Sequence, residues 1–191
     1  MSEVFPLYYF GNIAYWKTIL SENEIVLSTK QVIPKKSYAN RTIILMANGL
    51  QTMSVPLIGG RGSKVPFDEI EISYGENWIS KHKMTLQSAY SKSPFYEFYM
   101  PYFESILNSK PIKLLDLNKK IFLEIIRILK LQNIVMESEF ISTIKFTPNE
   151  FETQLSVYPQ VFRYKYAFQP DLSILDLLFC LGPNSKDYLS Q

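Results

Sequence analysis

Apolar and polar positions change period several times along the chain, and each change marks an expected element. The run VFPLYYF (4–10) is apolar and aromatic, and Pro6 within it predicts an early strand with an irregular start. NIAYWKTIL follows with helical spacing, placing Ile13, Trp16, Ile19 and Leu20 on one face. EIVLST (24–29) carries β-branched residues in alternation and reads as a strand. In TIILMANGLQTMSVPL, Asn48-Gly49 separates two apolar runs. That pair accepts positive φ at both central positions, which predicts a type I′ turn between strands near 41–47 and 50–57. FDEIEIS (67–73) alternates apolar with polar side chains, as a strand with one wet face does.

Three helices are expected next. The first covers about 77–91. The second is FYEFYMPYFESIL, broken or kinked by Pro101. The third is DLNKKIFLEIIRILKLQ, capped by Asp116 or Asn118, with Leu117, Ile121, Ile125, Ile128 and Leu129 inward and Lys130 near its negative pole. IVMESEFIS (134–142) reads as a further strand, and 143–169 as a long irregular connection. The chain closes on a helix opened by a Ser173/Asp176 pair resembling a capping box and ended by Gly182-Pro183. The fold class is therefore α/β: a mixed, partly parallel sheet with helical crossovers and an antiparallel β-hairpin extension, in one domain spanning 1–191.

Composition narrows the function classes. At 191 residues, 47% hydrophobic and 20% charged, the chain has an ordinary globular make-up. A net charge of +2 gives no strongly basic signature. The single cysteine, Cys180, excludes an intramolecular disulfide and reads as a small hydrophobe inside the last helix. No leader-like start and no run of about 18 apolar residues stands out, so the expected location is cytoplasmic, without membrane insertion. The glycine-rich IGGRGSKVP (58–66) lacks the G-x-x-x-x-G-K-[ST] phosphate-loop pattern and reads as a solvated loop.

The one histidine, His82, falls in WISKHKMTLQSAYSKSPFYEFY (78–99). On a helix it shares the stripe of Trp78, Leu86 and Tyr90, away from Lys81 and Lys83. A packed interior residue and a general base beside Trp78 are both readings of that placement. A metal site has little to stand on, since no second histidine, HExxH or acidic cluster at ligand spacing accompanies it.

Three blocks resemble the WbqC-like family, in particular its shorter branch common in Bacteroidetes. KKSYANR (35–41) resembles K-x-x-Y-x-N-R. Residues 78–99 resemble W-x-x-x-H-x-x-x-L-x-x-A-Y-x-x-S-P-[FY]-[FY]-x-[FY]-Y. The tail YPQVF…LSILDLLFCLGP resembles Y-x-Q-V-F…L-S-I-x-D-L-L-F-x-x-G-P. Order and spacing agree from about Leu7 to Leu189. The resemblance implies a place in surface-polysaccharide biosynthesis, with Lys35, Tyr38, Asn40, Arg41, His82, Tyr90, Ser93 and Asp176 as the matching polar residues. Many members begin H-Q-P-x-[FY]-x-P-W where this chain has FPLYYFGN, which puts an identical activity in doubt.

Two functional expectations follow. The first is an enzyme of cell-envelope glycan assembly acting on an anionic sugar or amino-acid-linked substrate. In it Lys35, Tyr38, Asn40 and Arg41 bind the substrate, Arg41 bidentately, and His82 moves a proton. The second is a non-catalytic protein of such a pathway that binds a small anionic ligand or a partner. Arg41 also has a structural reading, as the partner of a core carboxylate such as Asp176. Nucleic-acid binding through Lys35, Lys36, Arg41, Arg61 and Lys64 is disfavoured by the near-neutral charge. Neither the reaction nor a cofactor follows from these residues.

Overall fold

The computed structural model describes residues 4–33, 37–59, 65–139 and 155–191. Strands β1 (Val4–Pro6), β2 (Glu24–Ser28) and β5 (Ile134–Ser138) form a parallel sheet in the order β1-β2-β5, with Val4 opposite Val26 and Val26 opposite Met136. A separate hairpin pairs β3 (Arg41–Met46) with β4 (Gly49–Ser54). Helix α1 (Ile13–Leu20) crosses from β1 to β2, as parallel pairing requires. Helices α2 (Trp78–Tyr90), α3 (Tyr96–Asn108) and α4 (Leu114–Ile128) follow the hairpin, and α5 (Ile174–Leu181) and α6 (Ser185–Leu189) close the chain. The fold is α/β, with a mixed set of strands.

The helical stripes sit where spacing places them. Leu117, Ile121 and Ile125 of α4 are buried, and so are Trp78, Leu86, Ala89 and Tyr90 of α2. The α5 helix is buried on nearly every face, so it sits in the core as an almost continuous apolar run, Cys180 included.

Several local expectations are corrected. The hairpin register pairs Met46 with Gly49, so the connecting residues are Ala47-Asn48 and not Asn48-Gly49. Neither residue has positive φ; Gly49 takes it instead, at +114°, as the first residue of β4. The turn is thus not type I′. Its Ala47 carbonyl is taken by Lys165 Nζ at 2.6 Å and Tyr166 OH at 3.0 Å, tertiary contacts that local turn chemistry does not reveal.

FDEIEIS is not a strand: Phe67–Glu69 is a turn of 3-10 helix, followed by the isolated bridges Leu57–Ile72 and Glu71–Lys113. The amides of Phe67 and Asp68 donate to Gln31 and Thr29, which ties this segment to the loop after β2 and leaves no continuous ladder. Helix α3 runs through Pro101 without a break. Pro101 and Glu97 are both exposed, so water can serve the carbonyl that the missing N–H leaves behind.

Helix α4 begins two residues before Asp116, and Asn118 is not its cap but a fully buried donor within it. At α5, Ser173 Oγ accepts from the Leu175 amide, yet the box stays open: the Ser173 amide donates to Ile43, and the Asp176 carboxylate turns into the core. Lys35 and Lys36, Arg61 and Lys64, and residues 143–154 of the 143–169 connection lie outside the described residues.

Gly182 ends α5 with φ +56°, and a Cβ there would lie 2.5 Å from the Phe95 ring. Left-handed backbone costs an alanine about 1–2 kcal/mol, and the clash adds a repacking cost of similar size. Gly182→Ala is therefore expected to lower stability by about 2–4 kcal/mol in urea unfolding; a loss under about 0.5 kcal/mol would show that Phe95 yields freely.

Candidate functional site

Because β1, β2 and β5 are parallel, their carboxyl ends share one edge of the sheet. The segments leaving that edge are 7–12, the loop after Ser28 and the chain after Ser138. Open parallel sheets bind ligands in the crevice outside these ends, where loops from several strands meet. The described part of the motif KKSYANR, Ser37–Arg41, follows the loop after β2, and the Tyr9 amide donates to the Tyr38 carbonyl at 3.0 Å, which holds it at this edge.

The loop after β1 has a special backbone. Phe10 and Gly11 adopt φ of +65° and +70° in succession. A Cβ on Gly11 would sit 2.7 Å from the Tyr15 ring, so the turn requires glycine. Trp16 Nε1 donates to the Phe10 carbonyl at 2.7 Å and Tyr15 OH to the Pro6 carbonyl at 2.6 Å, fastening the loop to α1. From α4, Asn118 Nδ2 donates to the carbonyls of Leu7 at 3.2 Å and Ala39 at 2.7 Å, joining the two loops.

The turn closes on the α1 N-terminus. Asn12 caps it through Oδ1, and Asp171 caps it from the other end of the chain. One Asp171 oxygen accepts from the Ala14 amide at 2.9 Å, the other from Asn12 Nδ2 at 2.5 Å. Burial pushes the Asp171 carboxyl up to about 6, against the lowering effect of the Ala14 and Asn12 bonds. Asp171 itself sits at φ +58°, a conformation that side chains bearing a Cβ rarely hold.

Tyr38, 5% exposed, feels charges of opposite sign. Its hydroxyl is pushed up to about 12, by burial first and then by the Asp171 carboxylate, while the Arg41 guanidinium pulls it down. Arg41 is half-buried, and its Nε donates to the Ser37 carbonyl at 2.8 Å, which braces the side chain over the 3-10 turn Tyr38–Asn40. Asn40 donates from Nδ2 to the Val55 carbonyl at 2.9 Å and accepts the Val55 amide on its own carbonyl, so it locks the hairpin to the turn. Arg41 does not pair with Asp176, whose carboxylate is served by Tyr158 and Gln160.

His82 stands behind this cluster. It is 6% exposed, with Tyr9 OH 3.0 Å from Nδ1 and the Trp78 ring edge-on at 5.1 Å. The backbone of Ser54, the residue opposite Arg41 in the hairpin, faces the imidazole without full hydrogen-bond geometry. Burial lowers the His82 pKa to about 4, more than the Ser54 backbone raises it, so the imidazole is neutral at pH 7. Tyr9 links the two groups: its amide donates to the Tyr38 carbonyl at 3.0 Å and its hydroxyl meets His82. Tyr38, Asn40 and Arg41 thus form one cluster, and His82 reaches it through Tyr9 and Ser54. Three members were not singled out from the sequence: Tyr9, Asn12 and Asp171. The signal for Asn12 lay in its position just before a helical run, a capping site; Asp171, far away in the chain, gave none.

Among the described residues, no group of three or more His, Cys, Asp or Glu could hold a metal ion, and no helix is long and apolar enough to cross a membrane. No curated protein and no solved structure matches the chain. The profile of the WbqC-like protein family matches residues 7–150, a span that carries the Tyr9 loop, the Tyr38–Arg41 turn and the His82 helix but ends before Asp171. With three quarters of its length inside that match, the chain belongs to the WbqC-like protein family.

Proposed function

We propose that the chain binds a small anionic ligand, a sugar or an amino-acid-linked sugar, at the carboxyl edge of the parallel sheet. The observation that carries this reading is that the buried Tyr38, joined by its carbonyl to the loop after β1, feels both the Arg41 guanidinium and the Asp171 carboxylate. Arg41 supplies a planar fork for a carboxylate or phosphate. Lys35, three residues before Tyr38, adds a second cation. Asn40 and His82 act as positioning residues, Asn40 on the hairpin and His82 on Tyr9. Family membership suggests a polysaccharide- or envelope-related process, and surface-polysaccharide biosynthesis is the setting we propose.

Binding without catalysis by His82 is the reading the geometry favours, since a buried imidazole with a pKa near 4 is a poor base at neutral pH. A second reading keeps proton transfer in the same cluster. Asp171, with its carboxyl at about 6, would be the acceptor, at the cost of loosening its bonds to Ala14 and Asn12.

Calorimetric titration with a panel of nucleotide sugars and amino acids tests the proposal. An anionic member of the panel should bind. Arg41→Ala should weaken that binding about ten- to a hundredfold, the value of one charge-assisted hydrogen-bond pair. Arg41→Lys should recover only part of it. Unchanged affinity in Arg41→Ala would sink the reading.

A further inference from the structure

A cavity of about 370 Å³ opens where the first turn of α2 meets the end of α3. Its volume is within the about 300–1,000 Å³ typical of small-molecule sites. Tyr74, Glu76, Asn77, Ser80, Asn108 and Lys110 supply its chemistry. Tyr74 is held rigidly: its ring stacks on Trp78 at 5.9 Å and 28°, and its hydroxyl donates to the Pro111 carbonyl at 2.7 Å. Asn77 precedes α2 without capping it, so its amide makes no helix bond. Asn108 is the exposed last residue of α3. Lys110, exposed and at φ +45°, has its Nζ 6.0 Å from the Tyr74 ring centre.

The mixture discriminates between ligand classes. Glu76 disfavours an anion and Lys110 a cation. Glu76 is already paired with Lys81 Nζ at 3.2 Å, but an apolar ligand would still take water away from two amides, the Ser80 hydroxyl and the Lys110 ammonium. A neutral polyol satisfies all of them, because each hydroxyl both donates and accepts, while its C–H surface can lie on the tyrosine ring. We infer that this cavity is a binding site for an uncharged pyranose unit of a saccharide, with Tyr74 as the platform and Asn77, Asn108 and Glu76 as the hydroxyl readers. The inference is independent of the anionic site at Arg41, which lies at the carboxyl edge of the sheet.

The test is a titration of the ¹⁵N-labelled full chain with methyl β-glucopyranoside and with N-acetylglucosamine. The expected result is saturable shifts of the amides of 74–80 and 108–110, with a dissociation constant on the order of 1 mM. Asn77→Ala removes a side chain that makes no capping bond, so it should leave the unfolding midpoint unchanged and weaken binding about tenfold, the loss of one hydrogen bond. Tyr74→Phe keeps the ring and should keep the binding; Tyr74→Ala should abolish it. Absence of saturable shifts with both sugars, shifts confined to other residues, or full affinity in Asn77→Ala and Tyr74→Ala would each overturn the site.

Discussion

With His82 replaced by glutamine, stability should fall as pH rises between about 4 and 6. Two shifted groups oppose one another there. His82 titrates at about 4 in the folded chain and at its ordinary 6.5 when unfolded. Its contribution is present above 6.5 and is lost as pH falls through that window, so it makes stability rise with pH by up to about 3 kcal/mol. Asp171 goes the other way. Its folded value of about 6 exceeds the unfolded 3.8, so its contribution is full below 3.8 and is lost as pH rises toward 6. That effect has a ceiling of about 3 kcal/mol, reduced by the part of the carboxylate that water reaches. Burial also raises Asp176 above its ordinary value, with the same sign as Asp171.

In the wild-type chain these slopes largely cancel, and the stability profile between pH 4 and 6 should be shallow. With His82→Gln only the carboxylates remain, and urea midpoints should fall as pH rises. Asp171→Asn should do the opposite and leave stability rising with pH. The His82 variant will also lose stability at pH 7. Glutamine can still meet Tyr9 OH, so the loss should be about 1–2 kcal/mol, against about 2–4 for His82→Ala, which leaves a cavity beside Trp78. A His82→Gln profile parallel to wild type would show that the imidazole is solvated and titrates normally.

What could be read from the sequence divides by distance along the chain. The stripe of Trp78, His82, Leu86 and Tyr90 is a property of one helix, and period alone places His82 inside. The parallel strands and their α1 crossover follow from apolar runs with a capped helix between them. Local patterns failed where a remote partner competes. Asn118 looks like a helix opener by residue type, but its amide is taken by Leu7 and Ala39, 111 and 79 residues away. FDEIEIS alternates like a strand, but its backbone bonds go to Thr29 and Gln31. Half of the candidate site was legible for the same reason. Tyr38, Asn40 and Arg41 share one motif, whereas Asp171 meets Asn12 and Ala14 across 159 and 157 positions. Only the folded chain brings the carboxylate to the arginine's neighbour.

The largest loss of stability among single side-chain deletions outside the apolar core is expected at Asp176. This carboxylate is 1% exposed and sits in the most buried helix of the chain. Tyr158 OH donates to its Oδ2 at 2.5 Å and Gln160 Nε2 at 3.3 Å, while Tyr90 turns its hydroxyl toward it without reaching full hydrogen-bond geometry. Gln160 then passes the constraint onward, with Nε2 on the Gln169 carbonyl at 2.9 Å and Oε1 taking the Gln169 amide at 3.0 Å. Residues 158–169 form no regular element, so these side-chain bonds replace the backbone ladder that would otherwise hold them.

Asp176→Ala strands the Tyr158 hydroxyl proton and removes the acceptor that the Tyr90 hydroxyl faces, while Gln160 Nε2 keeps the Tyr158 oxygen at 3.2 Å and the Gln169 carbonyl; at about 1–3 kcal/mol for each buried hydroxyl, the loss should be roughly 3–5 kcal/mol in all. Tyr158→Phe removes one donor, leaves Gln160 on the carboxylate, and should cost about 1–2 kcal/mol. Asp176→Asn keeps an acceptor for Tyr158 and should fall between them. The network also delivers Asp171, two residues beyond Gln169, to the α1 N-terminus. Asp176→Ala should therefore speed hydrogen exchange at the Ala14 and Gln169 amides more than at Leu86 in α2. Equal acceleration at all three would mean that Asp176 supports only global stability and does not position Asp171.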